Sequence, residues 1–144
     1  MRRMVGVALG LVIAAGAMAQ SDVIAQRKDL MKANGAATRL GTQMVRGEAP
    51  FDLAKAREIF TGISQRMERF PTLFPENSKT GGETHAAPRI WEDMPGFRAA
   101  AAKIVQDANE AARATTDMAT FQASFQKVGA NCNACDQTYR INPP

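Results

Sequence analysis

The chain has only two thiols, Cys132 and Cys135. They stand three residues apart in Asn131-Cys132-Asn133-Ala134-Cys135-Asp136-Gln137-Thr138-Tyr139-Arg140. Thiols at this spacing allow few chemistries. A Cys-x-x-Cys pair followed at once by His is the attachment signal for a covalent c-type haem; the thiols add to the vinyl groups and the imidazole ligates the iron from the proximal side. The same pair can close a strained local disulfide. It can also take part in reversible thiol chemistry or metal binding, but no βαβ pattern supports a thioredoxin-like site, and zinc would lack a fourth ligand beside Cys132, Cys135 and Asp136. Asp136 follows the second cysteine here. The chain therefore carries the thiols of a haem-attachment site without its nitrogen ligand.

The elements that must position this pair read as helices. The last segment opens at Asp117, and its seam runs Phe121, Phe125, Val128, Cys132, Cys135, Tyr139 in steps of three and four. That puts both cysteines on a buried face, with residue 136 sharing the side of Cys132. A first helix is expected from about Ser21 to Arg46: Val23, Leu30, Ala37 and Met44 recur every seven residues, with Ile24, Met31, Thr38 and Val45 beside them. Arg27 and Asn34 fall on or next to that stripe, and Gly47 supplies the stop. Asp52 caps a second helix whose face reads Leu53, Ala56, Phe60, Ile63, Met67 and Phe70, and Pro71 ends it. Asp93 caps a third, with Pro95 in its first turn and Phe97, Ala101, Ile104, Ala108 and Ala111 inside. The alanines imply close approach of a neighbouring helix or of a flat ligand. Between Pro71 and Pro88 lies a long crossover rich in Pro, Gly and small polar residues. It holds the lone histidine, His85, which reads as a solvated loop side chain because metal sites need convergent partners. No sustained period-two alternation marks a strand. The expected fold is all-α, an antiparallel up-and-down four-helix bundle.

Arg2 and Arg3, the apolar run Val5–Met18 and the small-x-small sequence Ala17-Met18-Ala19 read as a signal peptide cleaved before Gln20. The run is short for a membrane span, which needs roughly 20 apolar residues. The expected division is thus a leader over 1–19 and one bundle domain over 20–144, exported to the periplasm and free of the membrane after cleavage. Removing Arg2 and Arg3 lowers the formal charge from +4 to about +2, with both signs mixed along the chain. No basic run interleaved with aromatics supports nucleic-acid binding. Cysteines in an oxidising compartment are expected to be bonded to something.

With these residues in place, the mature chain resembles the class II c-type cytochromes, cytochrome c' and its low-spin, Met-ligated relatives. The resemblance rests on Arg27-Lys28-Asp29-Leu30-Met31-Lys32-Ala33-Asn34-Gly35, on Gly47 with Pro50-Phe51-Asp52, and on Leu73-Phe74-Pro75. It rests further on Pro88-Arg89-Ile90-Trp91 and on Cys132-x-x-Cys135 with Tyr139-Arg140. It implies a four-helix bundle, commonly dimeric, with haem c bound covalently through Cys132 and Cys135. It also implies that residue 136 is the proximal position, that Met31 faces the other side of the iron as a candidate sixth ligand, and that Arg27 and Arg140 lie near the propionates. Methionine at position 31 matches the electron-transfer members; members with a non-ligating residue there bind small gases such as NO and CO.

Asp136 departs from that pattern. A carboxylate is short, anionic and hard, and an Asp136–Met31 pair would give a high-spin centre of lowered potential. The residue also sits in the last turns of its helix, where the dipole disfavours an anion; if buried without metal it would have to find donors, with Arg27 or Arg140 as partner, or protonate. The resemblance implies, too, that haem-attachment enzymes read the His of Cys-x-x-Cys-His. The expectation is therefore a periplasmic one-electron haem protein with altered iron ligation, working with a redox partner protein. A haem-free pseudo-cytochrome acting as a binding or structural bundle and a gas-binding relative are the alternatives. No paired-base arrangement or phosphate loop suggests an enzyme.

Overall fold

In the computed structural model, backbone is described for residues 10–141 and side chains from residue 19 onward; the basic start of the expected leader lies outside the described residues. Four long helices account for most of the chain: α1 (Gly10–Val45), α2 (Leu53–Arg69), α4 (Met94–Ala114) and α5 (Met118–Tyr139), with a single turn, α3 (Arg89–Glu92), before α4. Helix α1 begins eleven residues earlier than its periodicity suggests. The helical sequence before Ser21 is rich in Ala, which favours helix on its own account, and so it continues the helix without a cap at Ser21.

The ends of the other long helices are written locally. Asp52 accepts from the Lys55 N–H at 3.0 Å, and Asp93 from the Gly96 N–H at 3.1 Å. Asp117 and Thr120 form a reciprocal capping box, with 2.8 Å from the Thr120 N–H to Asp117 Oδ1 and 3.0 Å from the Asp117 N–H to Thr120 Oγ1. Each side chain satisfies an amide that the first helical turn leaves without an intrahelical partner. Gly47 leaves α1 at φ 71°, a left-handed conformation that costs glycine little. Pro71 cannot continue α2, and the chain tightens there into a 3-10 turn over Phe70–Leu73.

In sequence order each long helix packs on the next, and α5 returns to α1. The main core lies where α2, α4 and α5 meet. Phe60 and Phe121 are fully buried there with ring centroids 5.5 Å apart. Ala101, Ala108 and Ala111 are buried in the same cluster as Ala56, Ile59 and Ile63, so the small residues of α4 serve the approach of α2. A second cluster under the crossover joins Leu73, Phe74, Ile90, Phe97 and Tyr139. The α1 stripe is only half filled: Ile24 and Met44 are buried, Leu30, Met31 and Ala37 are half-buried, and Thr38 is exposed.

One polar tie fixes α4 to α5. The carboxylate of Asp107 is buried and receives Lys103 Nζ at 2.9 Å, Lys127 Nζ at 3.2 Å and the side-chain amide of Asn131. The Lys103 hydrogen bond, helped by those of Lys127 and Asn131, outweighs burial and holds Asp107 below the usual carboxylate range. An acid whose folded pKa lies below its unfolded one contributes stability above the unfolded value and loses it as pH falls through the folded value. Asp107→Ala is expected to cost about 1–2 kcal/mol near neutral pH by urea unfolding. The gap from the parent protein should close as pH drops below the ordinary Asp range; a gap that stays constant into acid would contradict the network.

Candidate functional site

The unfilled stripe of α1 is one wall of a cavity of about 610 Å³, within the range of small-molecule and cofactor sites. Met31, Asn34, Gly35 and Thr38 of α1 face Cys132, Cys135, Asp136 and Tyr139 of α5 across it, and its inner end is closed by Met67, Phe70, Phe97 and Ile104. Of the neighbouring pairs of long helices, α1 and α5 touch least. The chain thus spends its tight packing on α2, α4 and α5 and leaves space between the first helix and the last.

Every site residue singled out from the sequence lines this one cavity: Arg27, Met31, Cys132, Cys135, Asp136 and Arg140. The thiols are free and half-buried. Burial pushes both up in pKa and the charge of Asp136 adds to it, Cys135 reaching about 11. They are held as neutral thiols on a largely apolar wall. Among the described residues no group of three or more His, Cys, Asp and Glu side chains converges to hold a metal ion. The bare-metal alternative at Cys132, Cys135 and Asp136 therefore has no built site.

The expected burial of Asp136 needs correction, and of its two expected partners it has Arg140 and not Arg27. Asp136 is half exposed, and its partner is Arg140, whose Nη1 lies 3.5 Å from Oδ2. The carboxylate is therefore exposed and paired with Arg140, not buried. Seen down α5, at about 100° per residue, residue 136 lies some 70° from the centre of the Cys132–Cys135 seam, at its flank. Arg27 takes no part in that pairing. It is 3% exposed and donates to Leu73 O, Ser78 Oγ, Ser78 O and Thr84 Oγ1 at 3.0–3.2 Å, and it lies 4.6 Å from the centre of the Phe74 ring. Burial lowers its pKa. Among the described residues no carboxylate pairs with it, and its Nε is buried without a hydrogen-bond partner. An arginine buried beside an apolar cavity with a free donor fits an anionic ligand group.

Three residues named from the sequence make contacts that the sequence does not mark. Asn34 accepts from Arg66 Nε at 2.6 Å and holds the α1 wall to α2. Tyr139 donates to Asp93 Oδ2 at 3.2 Å, joining α5 to the cap of α4. His85 also lines the cavity. Its stretch of crossover pairs with the end of α5: the Ile141 N–H donates to His85 O at 2.8 Å and the Ala87 N–H to Tyr139 O at 3.0 Å. A helical pattern could flag Asn34, but no local signal marks a contact between residues more than 50 positions apart.

The cavity suits a broad, flat, mostly apolar group that carries anionic ends and is fastened by two thiols. The Cytochrome C' family profile matches residues 22–140. The chain is 41% identical over 133 residues to cytochrome c' of Rhodopseudomonas palustris, covering 91% of each. It is 37% identical over 130 residues to cytochrome c-556 of Agrobacterium fabrum, covering 90% of this chain and 88% of that one. Its fold superposes on the solved cytochrome c' of Rhodopseudomonas palustris with a TM-score of 0.83 at 39% identity, covering 85% of this chain and 98% of that structure.

In polypeptide made without haem, alkylation of Cys135 at pH 8 is expected to run on the order of 10²-fold slower than in urea, since only the thiolate reacts. Iodoacetamide labelling with peptide mapping measures it. Equal rates in the native and unfolded chains would show that the thiol is not held in this wall.

Proposed function

This chain belongs to the cytochrome c' family, and we propose that it is an exported haem protein that carries single electrons, with iron ligation altered at residue 136. The observation that carries the reading is the convergence of three sulfurs, Met31 from one end of the chain and Cys132 and Cys135 from the other, on a single cavity.

Cys132 and Cys135 would hold the group by thioether bonds. Each S–H would add across a vinyl C=C, sulfur to one carbon and hydrogen to the other, with no change in oxidation state. The neutral, buried state of both thiols keeps them from premature reaction. Arg27 offers its unpartnered Nε and Arg140 a half-exposed guanidinium to the anionic ends. Phe70, Phe74 and Phe97 exclude water from the inner wall. When bound, haem supplies one-electron iron chemistry whose potential depends on its axial ligands and on burial. Met31 is placed to give a soft sulfur from α1. Asp136, hard, anionic and already paired with Arg140, does not replace an imidazole.

Export is supported by the leader pattern over 1–19 and by a family match that begins only at residue 22. Among the described residues no helix is long and apolar enough to cross a membrane. The mature unit is then residues 20–144 in the periplasm, exchanging electrons with a partner protein, as a homodimer where two copies associate.

Protein made in a host that matures c-type cytochromes is expected to keep its Soret absorbance on the denatured polypeptide, and to lose it in the Cys132→Ala/Cys135→Ala double variant. A colourless polypeptide of apo mass would sink the haem reading. For the sixth ligand, an Asp136→His background should be low-spin, and adding Met31→Ala should make it high-spin. Retention of the low-spin spectrum would remove Met31 from the iron.

A further inference from the structure

We propose that His85, carried by the crossover, is the nitrogen ligand to iron in this chain and takes over the role that Asp136 cannot fill. The inference rests on the haem reading above and adds a residue to it.

His85 is the only imidazole in the chain, and it lines the same cavity as Cys132, Cys135 and Asp136. Its position is fixed by main chain. Residues 85–87 run antiparallel to residues 139–141, bridged at Ala86 and Arg140, with the Ile141 N–H on His85 O at 2.8 Å and the Ala87 N–H on Tyr139 O at 3.0 Å. Tyr139 follows Asp136 by three residues, a rise of about 4.5 Å along the helix. The crossover therefore brings residue 85 to the end of α5 that carries the residue after the thiol pair. The side chain is exposed at the cavity mouth and makes no hydrogen bond to another described residue, so no existing contact has to break for it to turn inward. It is also longer than a carboxylate borne directly on α5.

Chemistry favours the exchange. A neutral imidazole serves both oxidation states of iron, whereas a carboxylate favours the ferric one. Asp136 is engaged with Arg140 on the flank of the helix. Among the described residues no His, Cys, Asp and Glu side chains converge to hold a bare ion; the iron considered is one carried on a wide group fastened at the cysteines. Met31 stands on the α1 wall, and His85 reaches the site from the crossover where it meets α5.

The test uses the matured, full-length protein with His85→Ala and Asp136→Asn variants. Mass spectrometry of each first reports covalent haem, and visible and EPR spectra then report the spin state. The expected result is a low-spin parent, a low-spin Asp136→Asn variant, and a His85→Ala variant that loses the low-spin signals and regains them with added imidazole. Because the carbonyl of residue 85 remains, the pairing with Ile141 survives the substitution, and far-UV circular dichroism should match the parent. A haem-loaded His85→Ala variant with the parent's spectrum overturns the ligand assignment and leaves the haem reading standing. A spectrum altered only by Asp136→Asn does the same. A parent polypeptide without covalent haem overturns both.

Discussion

The buried guanidinium of Arg27 is the constraint on which the rest of this molecule turns. Taking a cation out of water is costly unless its donors are satisfied, and among the described residues no carboxylate does it. Instead the oxygens of Leu73, Ser78 and Thr84 receive four of its hydrogen bonds, and the face of Phe74 lies against it. Those oxygens belong to the crossover. A chain segment rich in Pro, Gly and small polar residues has little apolar surface of its own to fix its path, so the guanidinium acts as the post around which it wraps. Trp91 secures the far side, its Nε1 donating to Phe74 O at 3.1 Å.

From that wrapping follows the shape of the site. The crossover must return past the end of α5 to reach α3, and it pairs there with residues 139–141. It caps a space that the four helices alone would leave open. The core is distributed to match: Phe60, Phe97 and Phe121 are fully buried, while the facing stripes of α1 and α5 are half covered. Large-to-small changes in the filled part remove packed contacts at a cost of several kcal/mol. The open part has no such contacts to lose. Stability and ligand space are thus assigned to different helix pairs.

What is legible in the sequence is what is local. Asp52, Asp93 and Asp117 mark the starts of three helices because a cap acts on an amide two or three residues away. The seam of α5 is readable from its spacing, and so is the inward position of both cysteines. Periodicity does not tell a filled stripe from an empty one: Met31 and Met44 look alike in sequence, yet the first faces a cavity and the second is 1% exposed. The alanines of α4 are open to two readings, and only packing assigns them to α2. Asp136 reads as buried because the i to i+4 rule gives the side of a helix and not the distance from the seam centre. His85 reads as a solvated loop side chain and is exposed; that it lines the cavity is not legible, because the residues it meets there come from the far end of the chain.

The charges at the cavity extend this logic to the ligand. Arg27 lies at its inner edge with one donor free, and Lys28, Lys32 and Arg140 stand along its rim, against Asp136 alone among acids lining it. That balance puts a positive potential over largely apolar walls, two features that a matching ligand would offset. A ligand with a wide apolar body and anionic ends relieves both terms at once: the body covers the half-buried stripes of α1 and α5, and the ends neutralise the arginines. The pairing of Asp136 with Arg140 then has a second consequence. It ties one guanidinium to the α5 flank, while Arg27 keeps one donor without a partner.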